Sequence, residues 1–199
     1  KPRNLMLMFF NMALIEQSNY GKTKLMAEKL LLASGIHATI LRGDWIYGND
    51  DWGLSKLTQI IRRYPLIPIP GNGEYRKRPI YIRDVVNAII TCLNNKRTEN
   101  KTYMLGGPSI TYNDMLDTFC KAAGISKSKF HVPPQLFFLI AALLKVFGMR
   151  AITKNNISGL TLDCSYDISK TEKELKLKPI SFEDGLLKSV DFYKKFASS

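Results

Sequence analysis

The first forty-three residues constrain the fold more than any other part of the chain. Asn4 to Phe10 is a continuous apolar run of strand length, the pattern of a strand covered on both faces. Asn19-Tyr20-Gly21 breaks it, and Lys22 to Ser34 follows with helical character. Leu25, Leu30 and Leu31 are available for its inner face, with Glu28 and Lys29 outside. Gly35 is a natural stop, and Ala38 to Leu41 reads as a second short buried strand ending at Arg42-Gly43. Strand, helix, strand is one βαβ unit, which demands a parallel sheet with helices packed on it.

The remainder extends that layout. Gly43 to Asp51 reads as loop and Leu54 to Arg63 as a helix with Leu57, Ile60 and Ile61 inward. Pro65, Pro68 and Pro70 forbid helix, and Gly71-Asn72-Gly73 signals a turn. Pro79 to Ile82 reads as a strand, Arg83 to Leu93 as a helix, and Thr102 to Leu105 as a strand before Gly106-Gly107-Pro108. A helix is expected over Tyr112 to Ala123, closed by Gly124, and an amphipathic one over Ser181 to Phe196. Pro134 to Met149 is apolar and interrupted by Lys145. At roughly 14 apolar residues it falls short of the roughly 20 that span a bilayer, so a buried or interface helix is expected, with a weak peripheral membrane contact as the alternative.

Composition narrows the classes of function. A formal charge of +12 and a pI near 9.6 favour anionic partners, although basic residues are spread along the chain and suit a solvated surface equally. No helix-turn-helix, zinc finger or RNA-binding aromatic signature accompanies the charge, so no nucleic acid is expected as partner. Cys92, Cys120 and Cys164 form no CxxC pair and no zinc-spaced cluster, which argues against a metal site; Cys92 and Cys120 sit in helix-like apolar patterns and read as buried free thiols, which suits a reducing compartment. The N-terminal apolar run follows a basic end, but Glu16 and Gln17 come at once with no small-residue cleavage site, so it reads as a strand and not a secretory signal. A chain opening at Lys1 reads as a fragment. His37 and His131 have no carboxylate–serine arrangement near them and read as structural.

The first place where chemistry can reside is Tyr20-Gly21-Lys22-Thr23-Lys24. Four-residue spacing at a helix start puts Tyr20 and Lys24 on one face. A phenol titrates near 10, too high for a base at neutral pH, and a nearby ammonium favours the phenolate. Such a pair can move the proton of an alcohol while hydride passes to or from a nicotinamide. A bare Tyr-xxx-Lys arises by chance about once in chains of this length, so its context decides.

That context resembles the extended short-chain dehydrogenases, the NAD-dependent epimerase/dehydratase family, including its atypical branch. YGKTKLMAEKLL (20–31) is similar to the family's active-site helix, and LRGDWIYG (41–48) resembles its Leu-Arg-Pro…Tyr-Gly segment. RPIYIRDVVNAI (78–89) resembles its Val-His-Val-Asp-Asp-Val-Ala segment, with Asp84 at the second aspartate, and KTYMLGGPSITYNDMLDTFCKAAG (101–124) resembles the strand and helix that follow. The resemblance implies an α/β fold: the C-terminal part of a doubly wound parallel-sheet Rossmann domain, residues 1–108, with a substrate-lobe insertion at about 49–78 and a mostly helical substrate-binding lobe at 109–199. It implies Tyr20 as catalytic acid/base, Lys24 as the residue that lowers its pKa and holds the nicotinamide ribose, and Gly43, Asp44, Trp45 and Ile46 beside the nicotinamide of NAD or NADP. Lys77 or Arg78 falls where sugar-nucleotide enzymes place a cation on substrate phosphate. The expected activity is that of an oxidoreductase or epimerase/dehydratase on a hydroxyl-bearing small molecule, a nucleotide sugar being the leading substrate class; the expected setting is the cytoplasm, with a homodimer as the oligomeric form. The alternative is a non-catalytic module in protein assembly or membrane association.

Departures from the pattern set the limits of that expectation. The G-x-x-G-x-x-G loop that cradles cofactor phosphates does not occur in the chain. The region where the family carries a catalytic Ser or Thr reads Phe9-Phe10-Asn11-Met12-Ala13, without a hydroxyl. Gly43 stands where a proline is usual, and Arg83 replaces the first aspartate.

Overall fold

A computed structural model describes residues 4–9, 19–43, 45–49, 51–64, 66–133, 135–136 and 161–189, with the side chains of 4–9, 19, 20, 52, 56 and 60 excepted. The expected helix over 134–149 lies outside the described residues apart from Gln135 and Leu136, as do Phe10, Asp44 and the end of the expected C-terminal helix.

The opening βαβ unit forms as read. Strand β1 (Asn4–Phe9) pairs parallel with β2 (Ala38–Gly43), and β2 pairs parallel with β7 (Thr102–Leu105), giving the order β1-β2-β7. Helix α1 (Asn19–Ala33) connects the first pair. It starts three residues before the expected Lys22, so Tyr20 and Gly21 belong to its first turn and do not break the chain. Gly35 follows its end with φ of 72°, a left-handed conformation that only glycine adopts without strain.

The inner face of α1 is not the expected one. Gly21 and Glu28 are buried, Leu25 and Leu31 are half-buried, and Leu30 is 63% exposed. Glu28 turns inward because Arg42 on β2 meets it: Arg42 Nη2 and Nε both donate to its carboxylate, the latter at 3.1 Å. A buried carboxylate persists only with such a partner.

Between β2 and β7 the chain forms β3 (Ile46–Tyr47), α2 (Trp52–Arg63), β4 (Leu66–Pro70), β5 (Arg76–Lys77), β6 (Ile80–Tyr81) and α3 (Ile82–Asn94). The pair β3–β6 is parallel. Beyond β7 come β8 (Ile110–Thr111), α4 (Tyr112–Ala122), β9 (Ser128–Val132), α5 (Ser169–Leu175) and α6 (Phe182–Leu187). The proline-rich stretch proves to be strand: β4 pairs parallel with β9. The prolines are tolerated because, among the described residues, that sheet has two strands, leaving β4 an edge that needs no N–H donor. Strand β5 pairs antiparallel with β8.

Local signals set the helix ends. Thr111 Oγ1 accepts from Asp114 N at 3.1 Å and Ser181 Oγ from Asp184 N at 3.1 Å, capping α4 and α6. Helix α4 closes as read from Gly124: its N–H bonds Lys121 O and Ile125 N bonds Cys120 O, the paired bonds of a Schellman ending.

Two apolar clusters result. One joins Leu41, Ile80, Val85, Ala88, Tyr103 and Leu105 of the sheet side to Leu175 and Leu177. The other joins Tyr47, Leu54, Ile61 and Ile69 to Met115, Phe119, Phe182 and Leu186. Cys92 and Cys120 are buried free thiols, as their apolar patterns implied, and Cys164 is buried and free as well. Among the described residues no helix is long and apolar enough to cross a membrane.

Candidate functional site

In open parallel sheets the ligand crevice lies beyond the carboxyl ends of the strands. Here those ends are Phe9, Gly43 and Leu105, in register across the three strands. The first turn of α1 follows β1 in sequence, which brings Tyr20 and Lys24, one helical turn apart, to the start of the helix that covers this sheet. Lys24 is half-buried. The side chain of Tyr20 lies outside what is described.

Gly43 ends β2 and is buried. Trp45 follows on the chain reversal into β3. Its carbonyl accepts from Ile80 N at 2.8 Å, and its indole N–H donates to the carboxylate of Asp51. Asp51 also accepts from Gly53 N at 2.8 Å, tying this segment to the start of α2. Burial pushes the Asp51 carboxyl above the usual carboxylate range against these hydrogen bonds. Ile46 is half-buried and packs against the sheet-side cluster. Asp44 lies outside the described residues.

Beyond β7, Gly106 and Gly107 must be glycine. A Cβ on Gly107 would run into the carbonyl oxygen of Pro79, and one on Gly106 would stand 2.9 Å from Tyr166 Oη and 3.0 Å from Arg78 Cβ. Tyr166 Oη donates to Leu105 O at 2.9 Å. Arg78 Nη1 donates to Gly107 O at 3.1 Å, its guanidinium lies 5.9 Å from the Tyr166 ring centroid, and its Nε is buried without a hydrogen-bond partner among the described residues.

Of the two candidate phosphate ligands, Lys77 is enclosed by its surroundings. It is 5% exposed, and Nζ donates to Leu162 O at 2.7 Å beneath the Tyr75 ring. Side chains alternate along a strand, so the neighbour of a surface residue points inward. Arg78 is the cation that reaches the strand-end region.

Asp84 acquires a definite task. It is buried in the first turn of α3 and accepts the backbone N–H of Ile180 at 3.0 Å, anchoring the chain just before α6. Desolvation pushes its carboxyl up, opposed by the Ile180 bond and by Lys188. The Glu28–Arg42 pair, which fixes α1 on β2, was not readable as a site feature: its partners stand 14 residues apart in different elements. Among the described residues no cluster of His, Cys, Asp or Glu could hold a metal ion.

Residues 12–106 match the family model described as the NAD dependent epimerase/dehydratase family. Over that stretch the chain is similar to this family. The match runs from the segment before α1 to Gly106. NADH dehydrogenase [ubiquinone] 1 alpha subcomplex subunit 9, mitochondrial, of Arabidopsis thaliana is 32% identical over 90 residues, covering 45% of this chain and 22% of that protein. Its namesake from Dictyostelium discoideum is 22% identical over 183 residues, 89% of this chain and 51% of that protein. Among solved structures, UDP-glucuronic acid 4-epimerase from Bacillus cereus in complex with NAD superposes with a TM-score of 0.69 at 21% identity, over 96% of this chain and 61% of that one. That likeness shows the fold: the described sheet corresponds to part of a Rossmann-type α/β domain. The chain spans about half or less of the length of these curated relatives.

The cofactor fit divides along the chain. At the strand ends stand Gly43 and, one turn into α1, the half-buried Lys24, whereas the space beside Gly106 and Gly107 is taken by Tyr166, Arg78 and Pro79. No Gly-rich strand–helix turn is available for the pyrophosphate.

Proposed function

We propose that this chain is the nicotinamide- and substrate-facing half of an NAD-dependent epimerase/dehydratase that acts on a hydroxyl-bearing substrate, a nucleotide sugar. The observation that carries the proposal is Tyr20 and Lys24 one turn apart at the start of the helix joining β1 to β2, within a stretch that matches the family model. NAD, when bound, supplies the hydride acceptor. Tyr20 takes the proton from the substrate hydroxyl and returns it. Lys24 favours the phenolate and hydrogen-bonds the ribose. Gly43 and Trp45 border the ring, and Arg78 pairs with a substrate phosphate in the crevice beside Gly107. The nucleotide-sugar assignment draws on the UDP-glucuronic acid epimerase likeness, and a Gly-rich partner half is required for the cofactor phosphates.

A second reading has its own support. No hydroxyl stands at 9–13, where a carbonyl-polarising Ser or Thr is expected, and the curated relatives are named as NADH dehydrogenase subunits. In that reading the protein binds NAD without turnover and serves an assembly. Titrating the complete protein with NAD, NADH and NADP, followed by a UDP-sugar turnover assay, separates the two. Epimer formation supports the enzyme; tight binding with no hydride transfer supports the assembly module.

A further inference from the structure

Lys77 and Cys164 form a buried amine–thiol contact that the proposed chemistry does not use. Lys77 Nζ lies 4.0 Å from Cys164 Sγ, and the two residues are 5% and 2% exposed. Both point at one acceptor: Nζ donates to Leu162 O at 2.7 Å and Sγ approaches the same oxygen at 3.8 Å. The backbones are clamped as well, by Cys164 N to Arg76 O at 2.8 Å and Arg76 N to Asp163 Oδ2 at 3.1 Å. Two backbone-anchored residues therefore hold an amine nitrogen, nucleophilic in its neutral form, against an oxidisable sulfur. The pair sits one residue below the surface, since Asp163 and Ser165 are exposed. The other two thiols are elsewhere, Cys92 in the sheet-side cluster and Cys120 in the other.

We propose that Lys77 and Cys164 are an oxidative cross-linking site that closes to a sulfenamide when peroxide reaches the thiol. In the first step the Cys164 sulfur attacks a peroxide oxygen. The S–O bond forms, the O–O bond breaks, and water leaves a sulfenic acid. In the second, the unprotonated Lys77 nitrogen attacks that sulfur. The S–N bond forms, the S–O bond breaks, and the departing hydroxide takes the amine proton as water. One hydrogen peroxide is reduced to two waters, the sulfur is oxidised by two electrons, and the protein loses two hydrogens. A thiol reductant reverses the step by attacking sulfur and releasing the amine. The flexible lysine stem supplies the movement needed, so neither backbone has to shift.

The bond joins positions 87 residues apart and so restricts the unfolded chain. It pins the segment that carries Tyr166, whose hydroxyl holds Leu105 at the end of β7. This inference is independent of the enzymatic reading.

The test treats the 199-residue chain with hydrogen peroxide and digests it for mass spectrometry, with and without a thiol reductant. The expected product is a reductant-sensitive pair of peptides containing Lys77 and Cys164, two hydrogens lighter than their sum. It should be present in Cys92→Ser and absent in Cys164→Ser and Lys77→Arg. The melting temperature of the wild type should rise on oxidation and return on reduction, and that of Cys164→Ser should not. If Cys164 stays unmodified, or runs on to sulfinic acid with Lys77 unlinked, the proposal is overturned. Cys164→Ser is isosteric enough to keep the comparison if Lys77→Arg fails to fold.

Discussion

Replacing Glu28 by alanine should cost this protein about 2–4 kcal/mol of folding stability. The magnitude comes from the burial of the pair. The Glu28 and Arg42 side chains are 6% and 23% exposed, and two guanidinium nitrogens of Arg42 bond the carboxylate. Removing one partner of a buried ion pair typically costs 3–5 kcal/mol, because the other charge is left uncompensated. The partial exposure of Arg42 lets water recover some of that, hence about 2–4 kcal/mol. The pair is also one of the ties between α1 and β2, so the variant should loosen the helix that carries Tyr20 and Lys24. Urea unfolding monitored by circular dichroism gives the stability change. The double variant Glu28→Leu/Arg42→Met should regain most of the loss, since it leaves no charge buried. A loss below about 0.5 kcal/mol for Glu28→Ala, the range of ordinary surface substitutions, would refute the assignment of Glu28 to the inner face of α1.

Gly107→Ala should lose about 1–3 kcal/mol or fail to fold, since the added methyl meets the Pro79 backbone oxygen, which cannot step aside as a side chain could; thermal denaturation reads this. Asp84 titrates above the ordinary carboxylate range in the folded chain, so its ionisation favours unfolding. Its contribution is therefore fully present below the unfolded pKa and declines as pH rises through the raised value. The stability of wild type minus that of Asp84→Asn should fall as pH rises above the unfolded carboxylate pKa of about 4; a flat or rising difference would contradict the burial argument. Glu174 behaves oppositely. Lys101 and Tyr103 hold its carboxyl below the usual range, so the stabilisation it gives to the docking of α5 on β7 is present above the unfolded pKa and lost as pH falls through the depressed one. Glu174→Gln should weaken that acid sensitivity in an acid-unfolding titration.

What could be read from the sequence was local. The unit β1-α1-β2 and the helix Tyr112–Ala122 follow from apolar runs, capping residues and closing glycines that sit within a few positions of one another. Long-range pairing was not legible. Pro68 and Pro70 exclude helix but do not announce β9, whose residues stand more than sixty positions away. Strand β5 is two residues long, and α5 has too short an apolar pattern to stand out. The same limit applies to side chains of mixed character. Glu28 looks solvent-facing until Arg42 is placed opposite it, and Lys77 looks like a phosphate ligand until the segment at 162–164 closes over it. At the crevice, the Tyr-xxx-Lys spacing and the glycines were visible. The anchoring of Ile180 by Asp84 was not, because its acceptor and donor lie 96 residues apart.

The decisive measurement is a comparison of the complete protein with its Tyr20→Phe variant, following NAD affinity and UDP-sugar turnover side by side. Loss of the phenol's proton transfer should lower kcat by about 10²–10⁴-fold while NAD affinity stays within a few-fold. Equal turnover in the two proteins would contradict Tyr20 as the acid/base and leave a family member whose chemistry, if any, lies elsewhere.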